Sequence, residues 1–341
     1  MTEGKILETA AHLITELEKI ASKLGKEMKQ GDVVPKDTKE TVEKAFQDLL
    51  KTIDSYEAAN KHKTGPVDKR KAEELKRKCR ELLAPWLLRS KYFNRSLCKP
   101  HGFPGDYLII EWIYDLKTNP CEDRTQPGIV NCLDYVFSKL SSVQGASERR
   151  EYFAKRLEEE YKRCSESKKN FRVLDVACGG ARYIKDFLEK VKDASSVSIT
   201  LVEQDLAAVE YCRTESLVDW INQVTIYCKR AVPLPDEVKT SAGVDLKFDL
   251  VISAGLFDYL EPTAAQTLLT DMVGVTDAKG LTAVANFSPD DPSRAATEWL
   301  VDWPLIYREK DELVKLFPDP KQVKTEVNSN KTIVYASVRK P

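Results

Sequence analysis

The stretch VLDVACGGAR, Val173 to Arg182, decides how this chain is read. An apolar run reaches Asp175, a turn of small residues follows, and RYIKDFLEKVK continues with helical periodicity. Such a strand-turn-helix brings backbone close to a ligand at the carboxyl end of a parallel strand. Gly179 and Gly180 allow that approach. A cysteine and two adjacent glycines stand where a dinucleotide loop would show Gly-x-Gly-x-x-Gly, and the flanking alanines, Ala177 and Ala181, add only a methyl group each, provided φ stays negative there. A ligand without a pyrophosphate is better suited to this loop than a dinucleotide is.

The sequence downstream keeps alternating. FRVLDVA is followed by the helix RYIKDFLEKVK, SITLVEQD by LAAVEYCRTESLVDWI, and QVTIYCKR is a third strand. FDLVISAG precedes the helix TAAQTLLTDMVGVT, and GLTAVANFS is a fifth strand. Apolar strands alternating with helices predict a parallel sheet covered on both faces. KQVKTEV and TIVYASVRK flank NSN with no helix between them, which predicts a terminal antiparallel hairpin.

Upstream, the grammar is helical. Ile6, Leu7, Ala10, Leu13, Ile14, Leu17, Ile20 and Leu24 recur at three-and-four spacing. After a break at GDVVP (31–35), Thr38 is placed to cap a second helix. KHKTGP (61–66) reads as a linker, and the next helix carries Leu75, Cys79, Leu82 and Trp86 on one face. The expected division is an all-α domain over 1–165 and a sheet domain over 166–341.

Lys and Arg total 53 against 54 Asp and Glu, a formal net charge of -1, so no global field selects nucleic acid or an anionic membrane. Basic residues in the third helix are interleaved with acidic ones, the pattern of a solvated face. The charged N-terminal stretch reads as neither signal peptide nor membrane span. Eight cysteines without a CxxC pair suit reduced thiols, and three histidines give little basis for a metal site. These features fit a cytoplasmic protein with no metal; the oligomeric state is not legible.

Five parallel strands closed by a hairpin resemble the Rossmann-like sheet of class I S-adenosylmethionine-dependent methyltransferases. Against that family's D-x-G-x-G-x-G loop, the chain keeps Asp175 and Gly179 and has Ala177 and Ala181 at the other two glycine positions. KPHGFPGDYLIIEWIY (99–114), SAGLFDYL (253–260) and NFSPDDPSRAATEWLVDWPLIYR (286–308) narrow the likeness. They are similar to the methyltransferases of extracellular-factor 3-hydroxypalmitic acid methyl ester biosynthesis, over most of the chain beyond about residue 90. His101 stands where that family has arginine, and Asp291 where it has asparagine, which changes any grip on a substrate carboxylate.

The resemblance implies S-adenosylmethionine as cofactor, held by Asp175, Ala177, Gly179, Gly180, Glu203, Gln204, Ser253, Ala254, Gly255 and Tyr107. Glu203 ends the second strand, where a carboxylate accepts hydrogen bonds from ribose hydroxyls. Asp205 is placed either there or as a helix cap. Cys228-Lys229-Arg230 offers no acidic side chain for an adenine amine. Asp258, Tyr259, Arg294 and His101 are the catalytic candidates. Asp106, Asn286, Glu298, Trp303, Tyr307 and Arg308 are the acceptor-binding candidates, with GFPGDY as part of a lid.

Two chemistries fit these residues. A carboxylate acceptor arrives ionised and needs cationic positioning by Arg294, Arg308 or His101. An amine acceptor needs a base, for which Asp258, Glu298 or Asp106 are available. O-methylation of a small carboxylate is placed ahead of N-methylation of an amine or amino acid. A non-catalytic cofactor-binding protein and a methyltransferase acting on RNA or protein are the further alternatives.

Overall fold

The computed structural model describes residues 2–29, 32–62, 65–116, 123–166, 170–241 and 244–341. Gly31 of the first break, Lys63 and Thr64 of the linker, and Cys121 lie outside the described residues. The chain forms two compact units. One comprises Met1–Gln144 with Pro292–Pro304, the other Gly145–Asp291 with Leu305–Pro341.

The first unit is helical: α1 (Glu3–Glu27), α2 (Lys36–Asn60), α3 (Pro66–Leu87), α4 (Lys91–Cys98), α5 (Tyr107–Asp115) and α6 (Gly128–Lys139). On α1 the buried residues are Ile6, Ala10, Leu13, Leu17, Ile20 and Leu24, the stripe that the spacing predicts. Thr38 does not cap α2. Pro35 holds the cap position at φ -55 and the helix begins at Lys36, leaving Thr38 buried inside it. On α3, Leu83 takes the buried position expected for Leu82, which sits at the edge of the stripe and is exposed.

Trp299 belongs to this unit although it follows the fifth strand. Its indole Nε1 donates to Glu57 at 2.7 Å, and its ring meets Tyr56 edge-on at 6.0 Å. Burying that ring ties Pro292–Pro304 into the helices.

The second unit begins inside α7 (Ser141–Glu166) rather than near residue 165. Phe153, Ala154 and Leu157 of α7 pack into the sheet's core, which is why this helix belongs with the strands. The strands are β1 (Phe171–Val176), β2 (Val197–Glu203), β3 (Val224–Cys228), β4 (Phe248–Ser253), β5 (Thr276–Phe287), β6 (Lys324–Val327) and β7 (Ile333–Arg339). Their order is β3-β2-β1-β4-β5-β7-β6. β1 to β5 pair in parallel, while β7 runs antiparallel to both β5 and β6.

Strand alternation sorts the core. Val173, Ile199, Leu201, Leu250 and Ile252 face α7 and α8 (Arg182–Leu188). Leu174, Val202 and Val251 face the opposite layer, built on Leu268, Leu269 and Met272 of α11 (Pro262–Val275), with Val238 of α10 (Asp236–Lys239) and Leu313 of α12 (Lys310–Val314).

The long helix expected over 206–221 is broken. After α9 (Leu206–Tyr211) the chain makes a wide turn at Cys212–Ser216, closed by Leu217 N–H donating to Cys212 O, then a 3₁₀ stretch at Val218–Gln223. Leu217 is fully buried at φ -121, so core packing overrides helical propensity there.

Candidate functional site

At the carboxyl edge of the sheet, the turn after β1 adopts left-handed backbone at three positions: Ala177 (φ 59), Gly179 (φ 55) and Ala181 (φ 53). The condition under which these alanines would cost only a methyl group, a negative φ, is not met at either position. The turn requires a conformation that glycine meets freely, and each alanine carries its Cβ into it at a cost of about 1–2 kcal/mol.

Glu203 holds this turn in place. Its Oε2 accepts Gly179 N–H at 2.9 Å, while Oε1 accepts Gln204 N–H at 2.8 Å and Asp205 N–H at 2.9 Å. Burial raises its pKa despite those three bonds. Asp205 caps α9 by accepting Ala207 N–H at 2.9 Å. Gln204 is exposed beside it.

Asp175 is fully buried at the end of β1. Tyr183 donates to its Oδ2 at 2.7 Å, and burial pushes its pKa up to about 7. Asp175 Oδ1 and Ser253 Oγ are buried with no hydrogen-bond partner among the described residues. Asp175 pairs with Ile252, so Ser253 lies one residue beyond that register on the adjoining strand. Two orphaned oxygens here suit a polar ligand group, and the Gly179–Gly180 turn leaves backbone open to approach. These residues fit a cofactor carrying a ribose and an amino acid.

The loop after β4 is fixed by a buried network. Asp258 Oδ1 accepts Phe287 N–H at 2.6 Å, and its Oδ2 accepts Arg149 Nη1 at 3.1 Å. Burial raises the Asp258 pKa to about 6 against the pull of Arg149. Arg308 donates to Phe257 O at 2.6 Å, to Asn286 Oδ1 at 2.7 Å and to Leu260 O. Asn286 Nδ2 in turn donates to Ile306 O at 2.8 Å. Ala254 is buried, Gly255 and Tyr307 are half-buried, and Tyr259 is exposed.

The remaining candidates lie in the helical unit. Asp106 caps α5, its Oδ1 accepting Leu108 N–H at 3.1 Å and Ile109 N–H at 3.0 Å, and pairs with Arg95 Nε at 2.8 Å. His101 and Tyr107 stack edge-on at 5.7 Å. Glu298 accepts from Arg294 at 2.8 Å and from Lys76 at 3.1 Å. Burial alone would raise the Glu298 pKa, but the two cations hold it below the usual carboxylate value. Trp303 is half-buried, its N–H donating to Thr297 O at 2.9 Å.

Sequence reasoning missed Arg149. It lies 28 residues before the glycine loop's Ala177 in a helix whose pattern gave no sign of belonging to the sheet. Its neighbour Arg150 chelates Asp186 of α8 at 2.5 and 2.7 Å, an equally silent sign that α7 docks there.

Among the described residues, no group of histidine, cysteine and acidic side chains could hold a metal ion, and no helix is long and apolar enough to cross a membrane.

Residues 118–288 match the family described as "Putative methyltransferase". No curated protein matches the chain. Among solved structures, a Bordetella parapertussis protein described as a possible exported protein aligns over 98% of this chain and 97% of its own, at 15% identity and a TM-score of 0.52. The N-methyltransferase NodS of Bradyrhizobium japonicum WM9, in complex with S-adenosyl-L-homocysteine, aligns over 69% of this chain and 98% of its own, at 12% identity and a TM-score of 0.40. Magnesium protoporphyrin IX methyltransferase of Synechocystis PCC 6803 aligns over 59% and 85%, at 10% identity and 0.43. The family match spans half of the chain, which belongs to this methyltransferase family and is an S-adenosylmethionine-dependent enzyme of the Rossmann-like fold.

Proposed function

We propose that the enzyme methylates a carboxylate oxygen of a small acceptor, as its likeness to the 3-hydroxypalmitic acid methyl ester biosynthesis methyltransferases implies. When bound, S-adenosylmethionine supplies an electrophilic methyl group on a cationic sulfur. The protein's part is to orient the two reactants in line and to exclude water.

Glu203 holds the ribose side of the site. A carboxylate offers about four lone-pair directions, and three are committed to backbone N–H groups. It has room for one ribose hydroxyl. Asp175 Oδ1 and Ser253 Oγ are suited to the polar methionine end.

The observation that carries the acceptor class is the state of the carboxylates. An amine acceptor needs a base. Asp258 is locked between Phe287 N–H and Arg149, Glu298 between Arg294 and Lys76, and Asp106 between Arg95 and a helix start. All three proton-acceptor candidates have structural partners, whereas a carboxylate acceptor arrives ionised and needs none of them.

The test is to incubate the enzyme with methyl-labelled S-adenosylmethionine and separate panels of aliphatic or hydroxy acids and of amines. A methyl ester releases its label as methanol in mild alkali; a methylamine keeps it. Alkali-stable label from the amine panel, with none from the acids, overturns the carboxylate reading.

A further inference from the structure

Gly179 is held at both of its polar groups. Its N–H donates to Glu203 at the end of β2. Its carbonyl oxygen accepts from the Cys212 thiol at 3.2 Å and from the Cys178 thiol at 3.5 Å, so two sulfurs converge on one oxygen. Both cysteines are buried. The Cys212 thiol beside it, together with burial, pushes the Cys178 thiol well above its usual pKa, which keeps a hydrogen on that sulfur at neutral pH.

Cys212 sits where the helix after β2 breaks. In a continuous α-helix, residues five apart point about 140° away from each other, so Cys212 and Leu217 could not share one buried face. The wide turn, closed by Leu217 N–H donating to Cys212 O, brings both into the same core, and turns of this kind recur at functional sites. A small apolar side chain at 212 would fill that space but would remove the shorter of the two bonds to Gly179 O. We infer that Cys212 is a positioning residue for the cofactor: its thiol holds the Gly179 carbonyl, as Glu203 holds the Gly179 N–H, and so presets the left-handed turn at φ 55. A turn ordered before the ligand arrives removes that ordering cost from binding. The inference rests on reading the Gly179–Gly180 turn as part of the S-adenosylmethionine site.

The experiment compares wild type with Cys212→Ala and Cys212→Ser by calorimetry with S-adenosylhomocysteine, and follows thermal unfolding of all three. Alanine has no donor, and that variant binds about 3- to 10-fold more weakly; serine keeps a donor, and that variant stays within about 2-fold of wild type. A residue that only fills the core would lower the unfolding temperature and leave affinity untouched. Wild-type affinity in Cys212→Ala, or equal weakening in both variants, therefore overturns the inference. Should Cys212→Ala fail to fold, the infrared S–H stretching band in the difference between wild type and Cys212→Ser decides. A band lowered in frequency, with the serine variant binding as wild type does, supports the inference; a band at the free-thiol position overturns it. Failure of wild type itself to bind S-adenosylhomocysteine would sink the proposed function, and the inference with it.

Discussion

Glu203 Oε2 and the backbone N–H of Gly179 are 2.9 Å apart, a single bond that fastens the end of β2 to the turn after β1. The same carboxylate restrains Gln204 and Asp205, so ligand affinity and turn geometry share one side chain. Glu203→Ala is expected to weaken S-adenosylhomocysteine binding about 10- to 100-fold, since a hydrogen bond to a charged group contributes about 1.5–3 kcal/mol. Calorimetry on the folded variant checks this, and unchanged affinity would remove Glu203 from the site.

The two alanines of the turn are stability defects. At φ 59 and 53 they adopt a conformation glycine reaches without strain. Ala177→Gly and Ala181→Gly are each expected to raise unfolding free energy by about 0.5–1 kcal/mol, the relief of strain exceeding the added flexibility of the unfolded chain. Urea unfolding of the two variants reads this directly; a loss of stability in both would show the strain to be relaxed elsewhere.

Asp175 makes stability depend on pH. Its pKa rises from 3.8 to about 7 on burial, so between those values the folded state binds more protons than the unfolded one. Its contribution to stability is therefore fully present below about pH 4 and is lost as pH rises through about 7. Asp175→Asn removes that dependence. Relative to wild type, the variant should gain on the order of 2–4 kcal/mol between pH 4 and pH 7.5, measured by urea unfolding at both. Parallel pH profiles for the two proteins would place the Asp175 pKa near its ordinary value.

Arg308 is a structural cation. It satisfies the carbonyls of Phe257 and Leu260 and the Asn286 oxygen, fixing the loop after β4 to the end of β5. Arg308→Met should cost about 3–5 kcal/mol by leaving buried acceptors unsatisfied. Thermal unfolding tests this, and a loss below about 1 kcal/mol would mean that water replaces the guanidinium.

What the sequence determined is what depends on near neighbours along the chain. The short apolar runs of β1 to β5 marked strands of a sheet covered on both faces, the three-and-four spacing of α1 marked its buried stripe, and the missing helix between β6 and β7 marked the hairpin. Gly179 and Glu203 could be named because a turn and a strand end are local features. Only the tertiary structure decided the rest. Ala177 and Ala181 had to follow the turn that β1, α8 and Glu203 impose, whatever their own preference for negative φ. Leu217 broke a good helical pattern because the core had a place for it. Arg149, Asp258 and Phe287 met through packing between α7 and the ends of β4 and β5, and no spacing in the sequence encodes a contact that long-range burial alone creates.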